Sequence, residues 1–163
     1  MATATNPYAG YLEGVQPEQV MADTPKRISD IVERLGPSGL ERSYAPGKWT
    51  ARQIVCHLAD TEIAFAFRLR QTLAEPHHVI QPFDQDGWAQ LYHSLPADAA
   101  LATFTAIRGW NLALIRSTGP EARQKPVTHP ERGDMTFQTI VETMAGHDRN
   151  HLRQLETIGG QIN

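Results

Sequence analysis

A single cysteine, Cys56, occurs in 163 residues, so no intramolecular disulfide can form and nothing points to an oxidising compartment. Long apolar runs are missing as well. No stretch approaches the eighteen or so apolar residues that a bilayer-spanning helix needs, and no membrane association is expected. The opening residues, MATATNPYAGYLEG, carry neither a basic head nor an apolar core, so they do not read as a signal peptide. A cytoplasmic protein is the expectation. An excess of positive charge is also lacking: the net charge is −3. The basic residues fall in short pairs (Lys26/Arg27, Arg68/Arg70, Arg149/Arg153) and not in a stripe, so no nucleic-acid partner is expected. There is no phosphate-binding glycine loop and no Ser-His-Asp elbow.

What the chain does contain is helical periodicity, in a composition of 40% apolar and 20% charged residues that suits one globular domain over residues 1–163. A first helix is predicted from Pro17 to Leu35, with Ile28, Ile31, Val32 and Leu35 on one stripe and Gly36-Pro37 as its stop. Thr50, with Gln53 three residues on, forms a capping box for a second helix that continues to about Leu73. Its stripe is Ile54, Leu58, Phe65, Leu69 and Leu73. A third helix runs from near Asp98 to the residues before Gly119-Pro120, with Leu101, Phe104, Ile107, Leu112 and Ile115 inward. Thr136 caps a last helix to about Ile158, and Gly159-Gly160 ends it. No segment reads as a strand. The fold class expected is therefore all-α, a four-helix bundle with long irregular loops at Glu75–Pro96 and Gly119–Asp134. Loops of that length serve as lids or binding edges, or simply pack over the open end of a bundle.

His147 and His151 lie four residues apart on the last helix, so they share a face one turn apart. The rest of that face is apolar: Phe137, Ile140, Met144, Leu155 and Ile158. His57 lies on the stripe of the second helix that includes Ile54, Thr61 and Phe65. Three core-facing imidazoles are costly to bury unless their nitrogens find partners. Either a metal supplies those partners, or the histidines are neutral and hydrogen-bonded within the core. If a metal is bound, three imidazoles suit Zn²⁺, Ni²⁺, Cu²⁺ or Fe²⁺ and suit Mg²⁺ or Ca²⁺ poorly. Three protein ligands also leave a position for water or substrate, as catalytic sites do. The helix reads His147-Asp-Arg-Asn-His151 and lacks the glutamate of the His-Glu-x-x-His proteases. A ferritin-like di-iron site is excluded because Glu-x-x-His occurs once, at Glu75, with a proline inside it.

Other residues are weighed beside these. Cys56 points about 100° away from His57 and reads as a small core residue. Asp60 and Asp148 either orient a ligand imidazole or sit as solvated surface carboxylates, the latter being preferred. Gln154, one turn beyond His151, is a candidate to bond a ligating ring or a cofactor. Arg68, roughly 16 Å along the helix from His57 at helical rise, reads as a surface ion-pair partner. Trp88 is a candidate pocket wall. His77, His78, His93 and His129 fall in loops, where the adjacent His77-His78 pair is a potential adventitious metal binder.

The segments Pro46-Gly-Lys-Trp-Thr-Ala-Arg-Gln-Ile-Val-Cys-His-Leu-Ala-Asp-Thr-Glu62 and Gly146-His-Asp-Arg-Asn-His-Leu-Arg-Gln-Leu155, with Phe83-Asp-Gln-Asp-Gly-Trp88 between them, resemble the DinB/YfiT-like superfamily of metal-dependent enzymes. The resemblance covers nearly the whole chain. It implies a four-helix bundle, often a homodimer, with nickel or zinc held by His57, His147 and His151. It also implies a transferase that activates a low-molecular-weight thiol toward a small electrophilic substrate. A metal-dependent hydrolase using the same three histidines, and a non-catalytic metal-binding dimer, are the alternatives.

Overall fold

A computed structural model describes residues 6–160; the first five and last three residues of the expected domain lie outside the described part. A 3₁₀ turn, Ala9–Tyr11, precedes the long helices α1 (Pro17–Gly39) and α2 (Ala51–Ala74). A short α3 (Gln85–Ala89) follows, then α4 (Ala97–Arg116), a short α5 (Pro120–Arg123) and α6 (Phe137–Gly160). The helix starts are set locally. At α2 the Thr50 hydroxyl accepts the Gln53 N–H and the Gln53 side chain accepts the Thr50 N–H, a complete capping box. At α6 Thr136 and Thr139 make the same reciprocal pair, each hydroxyl accepting the other's N–H at 3.3 Å. The Gly36-Pro37 stop does interrupt α1: Gly36 takes φ +61°, a kink that glycine tolerates, and one more turn follows to Gly39.

The loops are more structured than the sequence reading predicts. β1 (His78–Val79), β2 (Pro126–His129) and β3 (Gly133–Thr136) make a small sheet, β1 parallel and β3 antiparallel to β2. His78 pairs with Val127, and Val127 with Met135. Strands of two and four residues are too short for alternation to register as a pattern. His78 and His129 thus belong to strands and are buried, not loop residues. The sheet pins both long loops to one end of the bundle, where Ile80, Val127 and Met135 join its core.

The four long helices form a square in which α1 packs on α4 and α6, and α2 packs on the same two. Connections α1–α2 and α4–α6 therefore cross the diagonals. Two apolar cores result. One gathers Phe65, Leu69, Ile115, Ile140 and Met144 with the sheet, and the other gathers Ile28, Ile54, Leu58, Phe104 and Leu155. Between them lies a buried polar belt: Thr24, His57, Thr61, Glu62, Arg108, Asn111, His147, Asp148 and His151. Among the described residues no helix is long and apolar enough to cross a membrane.

Candidate metal centre

The belt is costly unless its polar atoms are paired, and its interior half is. Arg108 enters from α4 on the stripe of Phe104, Leu112 and Ile115, where the sequence reading placed Ile107; Ile107 is only half-buried. All five guanidinium N–H groups of Arg108 find acceptors. They are both oxygens of Glu62 (3.0 and 2.8 Å), both oxygens of Asp148, and the Met21 carbonyl at 3.0 Å. The Met21 carbonyl is available because Pro25, four residues on in α1, has no N–H to donate to it. One side chain so ties α1, α2, α4 and α6 together. Burial works against the Arg108 charge, but Asp148 and Glu62 outweigh it and hold the group protonated. Burial pushes the Asp148 carboxyl up while Arg108 pulls it down. Asp148 is therefore not a solvated surface acid, and it orients no ligand imidazole.

The other half of the belt is the histidine cluster on the α2–α6 seam. Ring centroids are 4.4 Å apart for His147–His151, 4.8 Å for His57–His151 and 5.1 Å for His57–His147. One ligand nitrogen from each of the three lies within 4.8 Å of the others. The Nε2 atoms of His57 and His147 approach to 2.9 Å, and the buried Nδ1 of His57 has no hydrogen-bond partner. Two nitrogens each about 2.0–2.1 Å from a tetrahedral Zn²⁺ lie roughly 3.3 Å apart, close to the spacing already present. One proton can bridge the two facing Nε2 atoms, and a metal ion can take its place between them. The donor set and the converging nitrogens therefore fit a divalent metal.

Every imidazole in the cluster is held neutral, as ligation requires. Burial, then the neighbouring His151, lowers His57 to about 3. His151 falls to about 4, chiefly by burial, with the Gln154 contact opposing the fall. His147, buried beside both others, lies well below the ordinary value. Gln154 accepts from His151 Nδ1 at 2.8 Å, which fixes that tautomer and leaves Nε2 to face the cluster. Thr61 donates to the His57 carbonyl at 2.8 Å, and the Trp49 ring lies tilted with its centroid 4.7 Å from that of His57. Tyr92 meets Trp49 edge-on and donates to Asp60 at 2.7 Å. Asp60 thus anchors the 75–96 loop and orients no ligand.

A second cover comes from the N-terminal segment, which sequence reasoning missed. The Tyr8 ring stands edge-on to His147 at 5.4 Å. Gly146 makes this approach feasible: a Cβ there would lie 2.5 Å from the Tyr8 Cβ and 2.7 Å from its carbonyl oxygen. Tyr8 and Gln85 stand between two clefts that reach the cluster. One, about 140 Å³, is lined by His147 with Phe65, Arg68, Phe83, Glu131 and Arg132. The other, about 340 Å³, is lined by His151 with Tyr44, Lys48, Trp49, Asp86 and Gln154. A larger groove of about 890 Å³ along the start of α1 is lined by none of the three histidines. Trp88 lies tilted against Phe83, ring centroids 4.6 Å apart, and is 42% exposed; Phe83, not Trp88, lines the cleft beside His147. Arg68 is not a surface ion-pair partner: its guanidinium lies 5.6 Å from the centroids of both Phe65 and Phe83.

Comparisons with known proteins agree with this architecture. The sequence profile of the DinB superfamily matches residues 21–155. A protein of Oceanobacillus iheyensis, provisionally named a metal-dependent hydrolase, is 31% identical over 137 residues, covering 83% of this chain and 80% of that protein. A Bacillus mycoides protein named in the same provisional way is 27% identical over 146 residues, covering 89% and 84%. Among solved structures, YfiT from Bacillus subtilis superposes with a TM-score of 0.84 at 24% identity, over 90% of this chain and 85% of that one. It is described as a probable metal-dependent hydrolase with an unusual four-helix bundle topology.

Proposed function

The chain belongs to the DinB superfamily, and on that premise we propose that it is a metal-dependent hydrolase of a small-molecule substrate, with one zinc or nickel ion held by His57, His147 and His151. The observation that carries this is the convergence of three buried, neutral imidazoles within 4.8 Å, two of them nitrogen to nitrogen. When bound, the ion supplies a Lewis-acidic centre that lowers the pKa of a coordinated water or thiol. The chain does the rest. Gln154 holds His151 in one tautomer, and Trp49 and Tyr8 shield the imidazoles from bulk water. Glu131 is the one carboxylate lining the cleft beside His147 among the described residues, and in this reading it takes the proton from the nucleophile.

Thiol transfer is the second reading, and one observation favours it. The only acid inside the His147–His151 motif, Asp148, is committed to Arg108 and cannot serve as a base. A thiol whose pKa has been lowered needs no such base. The homodimer is a further part of the proposal, with Phe67 and Trp110, 58% and 69% exposed on α2 and α4, among the exposed apolar side chains available to it.

The test is a turnover screen of the metal-loaded protein on small esters and amides, with and without a low-molecular-weight thiol and an electrophile. Thiol-independent hydrolysis that disappears in His57→Ala is the expected result. Turnover only with thiol would shift the assignment to transfer. No turnover under either condition, from protein that holds its metal, would overturn both catalytic readings.

A further inference from the structure

Four of the twelve arginines have acidic partners among the described residues. Arg27 pairs with Glu156, Arg52 with Glu41, Arg108 with Glu62 and Asp148, and Arg123 with Glu18. The two on the wall of the cleft beside His147 differ. Arg68 and Arg132 have no carboxylate within ion-pair distance among the described residues, yet they are near enough to oppose each other's charge. Burial, then Arg132, lowers Arg68 to about 10, so it stays charged at neutral pH. Its guanidinium lies 5.6 Å from the ring centroids of both Phe65 and Phe83. The buried His129, whose Nδ1 accepts the Glu131 N–H at 3.2 Å, is held neutral by burial and by both arginines. Glu131, at the exposed rim, is the only acid on this wall among the described residues. Two like charges that line one cleft oppose each other, and an anion held beside both offsets that repulsion.

We propose that Arg68 and Arg132 form an oxyanion-binding subsite that holds a carboxylate or phosphate group of the substrate and sets its reacting bond toward His147. The subsite rests on the metal-centre reading for its catalytic purpose, but its binding chemistry does not require the ion. Phe65 and Phe83 flank it, so the group is carried on a short apolar or aromatic body. The roughly 140 Å³ of the cleft fits a small head group and lies below the volumes that accept drug-sized ligands. Thr61 and Thr143 line the same cleft, but their hydroxyls already donate to the His57 and Thr139 carbonyls, which leaves the two guanidinium groups as the donors for such a group.

The experiment is calorimetric titration of benzoate, its uncharged counterpart benzamide, and inorganic phosphate into the full chain. The proteins are the wild type with and without zinc, Arg68→Gln, Arg132→Gln, Arg68→Lys and His57→Ala, each checked for native circular dichroism. The expected result is that benzoate or phosphate binds and benzamide does not. Each Gln variant loses at least about tenfold in affinity, Arg68→Lys recovers part of it, and His57→Ala keeps it. Preference for benzoate or for phosphate identifies the substrate's anionic group. Anion binding that vanishes in His57→Ala but survives both Gln substitutions would place the anion on the metal and overturn the subsite. So would equal binding of benzamide, or no binding in any protein. Retained zinc in the Gln variants separates failure of the subsite from failure of the metal centre.

Discussion

Cys56 shows how one residue's direction decides its chemistry. It neighbours His57 in sequence but points about 100° away around α2, with its sulfur 3.9 Å from the Tyr92 carbonyl. Burial, only partly offset by Arg52, pushes the thiol up to about 11. Fewer than about one thiol in a thousand is then ionised at pH 7.5. Native protein should react with a thiol-specific disulfide reagent at pH 8 orders of magnitude more slowly than unfolded protein does. Prompt labelling of the native chain would return Cys56 to the site as a ligand or nucleophile. At this scale the sequence was informative where side chains follow helical phase: His57, His147, His151 and Cys56 all point as periodicity predicts. Asp148, Arg68 and Arg132 were not legible. Whether a charged residue is solvated or buried depends on what the other three helices place against it, and no spacing within one helix carries that.

Among the elements, α1 carries the least expected device. A proline in mid-helix ordinarily costs about 3 kcal/mol. Pro25 leaves the Met21 carbonyl without its helical donor, and Arg108 supplies one from α4. The stripe of α4 held a signal, since Arg108 follows Phe104 by four residues and precedes Leu112 by four. Reading it required asking which acids stood opposite. Arg108→Met removes the only cation paired with Glu62 and Asp148 among the described residues and should cost about 3–5 kcal/mol of stability in denaturant unfolding at pH 7. The pH dependence has a definite sign. Burial already raises Asp148, and without Arg108 its folded-state pKa rises further above the unfolded value. A group raised in this way loses its contribution as pH increases, so the deficit should be greatest at neutral pH and shrink toward pH 5. A deficit below about 1 kcal/mol, or one that grows on acidification, would show that the cluster is not a coupled ionic hub. The strands escaped sequence reading for another reason: their pairing is set by crossovers between distant loops, not by local pattern.

For the molecule as a whole, the two apolar cores and the polar belt divide the work. The cores supply most of the burial, at roughly 1.5–3 kcal/mol for each large apolar side chain. The belt sets the register of four helices and leaves one seam, α2 against α6, lined with imidazoles. Helix positions, caps and the three histidines were legible from the chain alone. The diagonal connections, the small sheet and the arginine-lined cleft were not, because each depends on contacts between residues far apart in sequence. The central claim is that this seam holds one metal ion. Elemental mass spectrometry of untagged protein measures it directly, beside His57→Ala, His147→Ala/His151→Ala and, as a control for adventitious binding, His77→Ala/His78→Ala. In the fold His77 already meets Thr128 at 2.7 Å and His78 meets Glu75 at 2.9 Å. The account predicts about one zinc or nickel per chain, lost in the first two variants and kept in the third. A wild-type protein that takes up no metal after reconstitution, or variants of the seam that keep it, would contradict the claim.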